Sequence, residues 1–184
     1  MRADAQKNYD HLLAIAGSVV AEHGVGASLR DIARKADVGL ATLYRHFPTR
    51  DALLEVLLRE TVDDLTRKTN ELETSRPSYE ALVDWLRDSV DFVQKYNGVV
   101  TLLASALADP DSALHASCTE LRSAGARLLR RAQDEGMARL DIDGDDLFAI
   151  IGAIGWIGDQ PSFKPRVDHL FDIIVGALLV NKTA

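Results

Sequence analysis

The spacing of apolar residues along the chain predicts helices throughout. Apolar positions recur every three or four residues, which is the period of an amphipathic α-helix, and no segment alternates strictly as a half-buried strand would. Clusters of glycine, proline, asparagine and serine separate the periodic segments. The predicted helices cover residues 8–23, 28–35, 40–46, 49–70, 78–95, 98–108, 111–135, 144–159 and 164–181. The fold class is therefore all-α.

Residues 28–50 hold the most informative pattern, two short helices around a tight turn. Ser28 is a good N-cap for the first helix, and Asp31 completes a weak capping box with it. Asp37 tolerates the left-handed conformation that a tight turn requires. Gly39 is an acceptable N-cap for the second helix, which Pro48 ends. This layout is typical of a DNA-reading helix-turn-helix.

The second short helix has an apolar face and an outward face. Leu43 and Phe47, four residues apart, should anchor it to the first helix. Ala41, Thr42 and Arg45 then point outward, where small side chains allow close approach to base edges. Arg45 has the length and the donor geometry to reach a guanine.

The residues from Val38 to Arg50, VGLATLYRHFPTR, resemble the DNA-binding signature of the TetR family of bacterial transcriptional regulators. Ile32-Ala33, Ala36 and Leu53-Leu54 also match, so the detailed resemblance covers roughly residues 8 to 55. The family usually has glycine where this chain has Asp37 and serine where it has Gly39. Both replacements can serve the same backbone geometry. The remainder resembles the family in length, helicity and order.

The resemblance implies a set of DNA contacts. Tyr44, His46 and Arg50 are expected at phosphates, and Ser28 is expected to donate to a phosphate from its cap position. Base-facing roles fall to Leu40, Ala41, Thr42 and Arg45, while Arg30 is placed to touch either. For Leu40 and Ala41 a packing role is the alternative.

Charge is unevenly distributed along the chain. The whole sequence carries −7, yet residues 1–50 contain seven basic and five acidic residues, so the head is +2 and the remainder −9. A mildly basic head on an acidic body suits a protein that touches phosphate with one end. One cysteine, the absence of a signal peptide pattern and the lack of a membrane-length apolar run predict a cytoplasmic protein.

The last two predicted helices indicate self-association. Apolar residues occur on too many faces of 164–181 for a helix with one solvent-exposed face, and three glycines in 144–159 suggest close helix contact. A homodimer with a four-helix interface is expected, as the family resemblance also implies. Ordinary buried helices of a monomer are the alternative. The candidate interface residues are Ile151, Gly152, Ile154, Gly155, Gly158, Leu170, Ile173, Ile174 and Ala177.

A ligand site is expected in the body. The resemblance implies an apolar pocket under the helix that joins head and body, and a plain hydrophobic core is the alternative. The candidate lining residues are Trp85, Phe92, Leu103, Leu107, Leu114, Cys118 and Leu121. The predicted domains are 1–55 for DNA binding and 56–184 for ligand binding and dimerisation.

No pattern supports a cofactor, a metal or a catalytic centre. The acidic run 141–146 would place Gly152 at the bidentate calcium position, and His115 with Cys118 lacks further zinc ligands. The prediction is a homodimeric TetR-like repressor that binds an inverted-repeat operator in double-stranded DNA and is released by a small apolar ligand. Alternatives are a ligand-independent or partner-controlled regulator, an activator and, less favoured, an enzyme.

Overall fold

The computed structural model describes residues 2–180, and helices dominate this range. They are α1 (Arg2–His23), α2 (Leu29–Lys35), α3 (Leu40–His46), α4 (Arg50–Ser75), α5 (Ser78–Lys95), α6 (Val99–Ala108), α7 (His115–Asp134), α8 (Gly144–Gly158) and α9 (Val167–Leu178). A short 3-10 helix, Lys164–Arg166, precedes α9. The all-α prediction is confirmed. Between residues 2 and 180, no helix combines the length and apolar character needed to cross a bilayer.

The head consists of α1, α2, α3 and the first turns of α4. The short helix α2 packs on α1 and on α3, and α1 also contacts α4. Leu12, Ile32, Leu43 and Phe47 are almost completely buried at this junction. Burying each of these large side chains stabilises the head by about 1.5–3 kcal/mol, which holds two seven-residue helices that would not persist alone.

The long helix α4 connects the head to the body. Leu58 and Val62 are fully buried along it, followed by two buried threonines. The Thr66 hydroxyl donates to the Val62 carbonyl at 3.0 Å, and the Thr69 hydroxyl donates to the Leu65 carbonyl at 2.7 Å. These bonds satisfy the polar groups that the apolar surroundings would otherwise penalise.

The body is a bundle around α7, which packs on α4, α5, α6 and α8. Gly125 of α7 lies flat against the Trp85 ring, where a Cβ atom would overlap ring carbons. α8 starts at a capping box, in which the Asp143 carboxylate accepts from the Asp146 N–H and the Asp146 carboxylate accepts from the Asp143 N–H.

Several predicted boundaries are corrected by local hydrogen bonds. α7 begins at His115 rather than 111, because the Asp109 carboxylate accepts from the Asp111 N–H at 3.0 Å and the intervening residues form turns. α9 ends at Leu178, since Leu179 turns into an antiparallel bridge with Ala138. α1 begins at Arg2 rather than residue 8. Its first turns are polar and carry no apolar stripe, so the spacing of apolar residues did not reveal them. α4 extends to Ser75. Residue 181, predicted as helical, lies outside the described residues.

The glycines of α8 pack inside the subunit, which corrects their predicted place at an intersubunit face. A Cβ atom on Gly155 would lie 2.7 Å from Val100 Cγ2 and 2.9 Å from Val93 Cγ2, and Gly158 is closed off by the Gln94 side chain. Ile151 and Ile154 are also buried within the subunit. The glycines do allow a close helix contact, as predicted, but their neighbours are α5 and α6 of the same subunit rather than a second subunit.

Candidate nucleic-acid interface and ligand cavity

The turn between α2 and α3 has the geometry that the sequence predicts. Asp37 adopts a left-handed conformation with φ of 53°. The Val38 N–H donates to the Ala33 carbonyl at 3.0 Å, and Gly39 has the extended backbone of an N-cap. Leu43 and Phe47 are buried, as expected of the anchoring face. The opposite face of α3 is therefore turned outward by the packing of the head.

Ser28 occupies the N-cap position of α2, but its hydroxyl accepts no capping hydrogen bond. The Asp31 and Ile32 N–H groups both donate to the Ser28 backbone carbonyl at 3.0 Å, so side-chain capping is not needed. The Asp31 carboxylate accepts from Arg34 at 2.8 Å and does not complete the predicted capping box. The exposed Ser28 hydroxyl is left available to an external acceptor such as a phosphate.

Two grooves collect the predicted DNA-binding residues. Five of them surround a cleft between the start of α2 and the start of α4, namely Ser28, Arg30, Leu40, Tyr44 and Arg50. A second groove, between α1 and α3, is lined by Thr42, Arg45 and His46 together with Asn8. Ala41 lies exposed between them on α3. Eight of the nine predicted residues therefore line one of the two grooves, and the ninth, Ala41, is exposed on α3.

The His46 ring is positioned by a residue that the sequence reading did not single out. Tyr9 of α1 contacts His46 edge-on at 5.8 Å between ring centroids and Phe47 at 5.4 Å. Tyr9 lies in the polar first half of α1, where the sequence pattern does not indicate which residues pack against the head. Tyr44 is 46% exposed and Arg45 is also exposed, with Arg45 Nη2 donating to Thr42 Oγ1 at 3.4 Å.

Ion pairs divide the cations of the head into two groups. Lys35 Nζ lies 2.8 Å from Glu22, and Arg34 Nη2 lies 2.8 Å from Asp31. The Lys35 ammonium, with a smaller contribution from His23, lowers the pKa of the exposed Glu22 carboxyl. In the described part of the chain, Arg30, Arg45 and Arg50 form no ion pair, so their charge is available to DNA.

The body contains an apolar cavity of about 410 Å³ between α5, α6, α7 and α8, which is open to solvent on one side. Four predicted residues line it, Phe92, Leu103, Leu107 and Leu121. The other three predicted lining residues, Trp85, Leu114 and Cys118, are buried in the surrounding core and do not line it. Burial, with a smaller effect of Asp63, raises the pKa of the Cys118 thiol to about 11.

Polar groups occur at two places on the cavity wall. The Ser89 hydroxyl is buried and has no hydrogen-bond partner among the described residues. Arg122 Nη1 lies 3.3 Å from Asp145 Oδ1; the Arg122 side chain is half-buried and the Asp145 side chain is exposed. The apolar stripe of α5 contains Ser89 among Leu82, Trp85, Leu86 and Val93, so a buried serine was readable from the pattern.

Comparison with known proteins agrees with both regions. The family of bacterial regulatory proteins named tetR matches residues 12–57, and the C-terminal domain of SbtR-like transcriptional regulators matches residues 77–179. This chain belongs to the TetR family. It is a DNA-binding transcriptional regulator with a helix-turn-helix head and a helical C-terminal domain.

Individual TetR-family proteins align over most of the chain. The HTH-type transcriptional repressor KstR2 of Rhodococcus jostii is 30% identical over 155 residues, which cover 79% of this chain and 75% of the relative. The TetR transcriptional regulator SCO0520 of Streptomyces coelicolor is 33% identical with a TM-score of 0.67, covering 94% of this chain and 98% of that one. A TetR regulatory protein of Mycobacterium vanbaalenii is 28% identical with a TM-score of 0.63, covering 97% and 99%.

Part of the predicted TetR dimer face is exposed. Ile173 is 54% exposed and Ala177 is exposed, whereas Leu170 and Ile174 are half-buried. Gly152, which was also predicted for this face, lines the cavity. Trp156, on the outer side of α8, is 61% exposed. Fewer of the predicted interface residues are therefore exposed than expected, and the exposed apolar surface of α8 and α9 also includes Trp156.

Proposed function

We propose that this TetR-family regulator is a repressor that binds an inverted-repeat operator as a homodimer and is released by a small, largely apolar molecule. The observation that carries the proposal is an apolar cavity in the body of a chain whose head presents an outward-facing recognition helix. Repression is supported by the 30%-identical relative, which is named a repressor.

The homodimer is supported by the apolar surface of α8 and α9. These helices pack on each other and expose Trp156 and Ile173, with Ala153 and Ala177 also exposed. We call these four residues the α8–α9 face. A lone exposed apolar residue needs no explanation, but a group containing a tryptophan on adjacent helices is typical of an interface. A two-fold arrangement would pair this face with itself.

The dimer gives DNA reading its geometry. Two α3 helices enter successive major grooves if they lie about 34–36 Å apart, so the operator is expected to be an inverted repeat. Tyr44, His46, Ser28 and Arg50 would position the head on phosphates. Arg45 and the small residues beside it would read bases.

The ligand is expected to fill the cavity with an apolar body and to place one hydrogen-bonding group at Ser89. An unpaired buried hydroxyl costs about 1–3 kcal/mol of desolvation, which a ligand group that pairs with it would recover. Release from DNA follows if the ligand binds the DNA-free form more tightly, and a coupling of about 1–3 kcal/mol is typical.

Selection of bound sites from random duplex DNA at fixed salt tests the DNA-binding part. An enriched inverted repeat with one half-site spacing supports it; isolated half-sites, or no enrichment from a folded dimer, contradict it. Placing the selected operator across a reporter promoter then tests repression. Reporter output should fall when the protein is expressed, and a rise would make it an activator.

A thermal-shift screen of small apolar compounds tests the ligand part. A compound that raises the unfolding temperature should lose most of this effect in Ala104→Phe, which adds a ring at the open side of the cavity, where Ala104 is exposed. Ser89→Ala should weaken a ligand that carries a hydrogen-bonding group and should leave a pure hydrocarbon unaffected. Equal shifts in wild type and Ala104→Phe would place the ligand elsewhere.

A further inference from the structure

A turn of the head and a turn of the body meet where the two regions join. The Val25 N–H, after α1, donates to the Asn97 carbonyl, after α5, at 2.9 Å. Gly24 and Gly98 both have left-handed backbones, with φ of 77° and 82°. A Cβ atom on Gly24 would lie 2.7 Å from the Asn97 carbonyl oxygen, and one on Gly98 would lie 3.0 Å from Val25 Cγ2. The contact thus depends on glycine on both sides.

The same body turn is bonded to the end of α8. The Gly98 N–H donates to Asp159 Oδ2 at 2.9 Å, and Asp159 directly follows the last residue of α8. One turn earlier, Gln94 Nε2 donates to the Ile154 carbonyl at 3.3 Å. The Asn97–Gly98 turn is therefore held by the head on one side and by α8 on the other.

This contact gives the head an attachment that is separate from α4. A head joined to the body by one helix can swing when that helix bends, so a second contact beside it restrains the orientation of the head further. The bond between Ser112 Oγ and Glu55 lies on α4 itself and so restrains rotation less. The turn contact is made by residues after α1, outside α4, and lines the same groove as Glu55 and Ser112, so it adds a second attachment beside the one on α4.

We infer that Asp159, acting through the Asn97–Gly98 turn, is a positioning residue that fixes the separation of the two heads and hence the half-site spacing of the operator. This rests on the proposed function, since it requires a dimer on an inverted repeat. Asp159 lies three residues after Trp156 of the α8–α9 face. One path therefore runs from the two-fold axis through Trp156, Asp159 and the turn to Val25.

Spacing is sensitive to such a restraint. Each base pair inserted between half-sites moves them about 3.4 Å apart and rotates one by roughly 34–36° about the DNA axis. A head held at α4 and at a firmly fixed turn resists this displacement more strongly than a head whose turn contact has been loosened. Loss of the Asp159 bond should therefore relax the spacing preference without altering which bases are preferred within a half-site.

The test uses the full-length protein and a library in which the selected half-site is repeated with variable spacers. Asp159→Ala removes the acceptor, and Asp159→Asn keeps a weaker one. Asp91→Ala, an exposed carboxylate on α5, is the matched control for charge. In Asp159→Ala the affinity ratio between the best spacer and spacers one base pair longer or shorter should fall by roughly threefold to tenfold, as expected for one lost hydrogen bond. Asp159→Asn should lie between it and wild type.

Hydrogen exchange of the Val25 and Gly98 amides provides an independent readout, and both should exchange faster in Asp159→Ala. An unchanged spacing profile in Asp159→Ala, or equal broadening in Asp91→Ala, would overturn the inference. If Asp159→Ala does not fold, an unchanged profile in folded Asp159→Asn would overturn it as well. Failure of wild type to select any inverted repeat would instead refute the proposed function, which keeps the two failures distinct.

Discussion

The packing of α8 against α5 and α6 predicts different effects on stability for the same substitution at two glycines a turn apart. A Cβ atom on Gly152 would meet Val100 Cγ1 at 3.6 Å, an ordinary contact, whereas one on Gly155 would meet Val100 and Val93 methyl groups at 2.7 and 2.9 Å. Replacing a helix-interior glycine by alanine gains about 1 kcal/mol from reduced backbone entropy in the unfolded chain. That gain applies to both positions, but steric cost applies to Gly155 alone.

Gly152→Ala should therefore raise the free energy of unfolding by about 1 kcal/mol, or the unfolding temperature by roughly 2–4 °C. Gly155→Ala should pay about 1–3 kcal/mol for overpacking, giving a net change from near zero to a loss of about 2 kcal/mol. Val93 and Val100 both line the cavity, so their displacement would also narrow it.

Urea unfolding followed by circular dichroism, at one protomer concentration, measures both variants against wild type. The matched pair removes helix propensity from the comparison, because both changes are glycine to alanine in the same helix. A Gly155→Ala protein at least as stable as Gly152→Ala would refute the packing of α8 against α5 and α6 described above.

Three further predictions concern DNA contact, assembly and the thiol. At fixed salt, Tyr44→Ala should weaken binding to all DNA sequences about equally. Arg45→Ala should weaken binding and also relax the preference at one base position by about 1–3 kcal/mol. Unchanged affinity and base preference in Arg45→Ala would exclude a base contact by Arg45. Trp156→Glu should convert the dimer to a folded monomer in light scattering, and a persistent dimer would place the interface elsewhere. The pKa of Cys118, raised to about 11, favours the protonated thiol in the folded state. The contribution of Cys118 to the free energy of unfolding is therefore fully present below pH 9, the pKa of the thiol in the unfolded chain, and is lost progressively between pH 9 and 11. Cys118→Ala should lack this component of the pH dependence.

The head was predictable because its structure is set locally. Asp37, Gly39 and Pro48 each impose a backbone conformation within a few residues, and Leu43 with Phe47 defines the buried face by simple helical spacing. The capping role of the Ser28 hydroxyl was predicted wrongly, because two backbone N–H groups bond the Ser28 carbonyl instead.

The body was predictable as a set of helices but not as an arrangement of them. The three glycines inside one predicted helix indicate a close helix contact at Gly155, but they do not show whether the neighbouring helix lies in the same subunit. Phe92 and Trp85 are both buried aromatic residues of α5, but only Phe92 borders the cavity. A cavity is a place where side chains fail to meet, so it depends on helix angles that no single helix encodes.

The end of α9 is tied back to the loop after α7. The Arg139 N–H donates to the Leu178 carbonyl at 3.0 Å, and the Val180 N–H donates to the Met137 carbonyl at 2.9 Å. Main-chain anchoring of this kind needs no second subunit. Each newly made chain can therefore complete its own α9 before meeting a partner, and assembly becomes the docking of two finished surfaces. Association by docking, without coupled folding, is expected to proceed at about 10⁵–10⁷ M⁻¹s⁻¹.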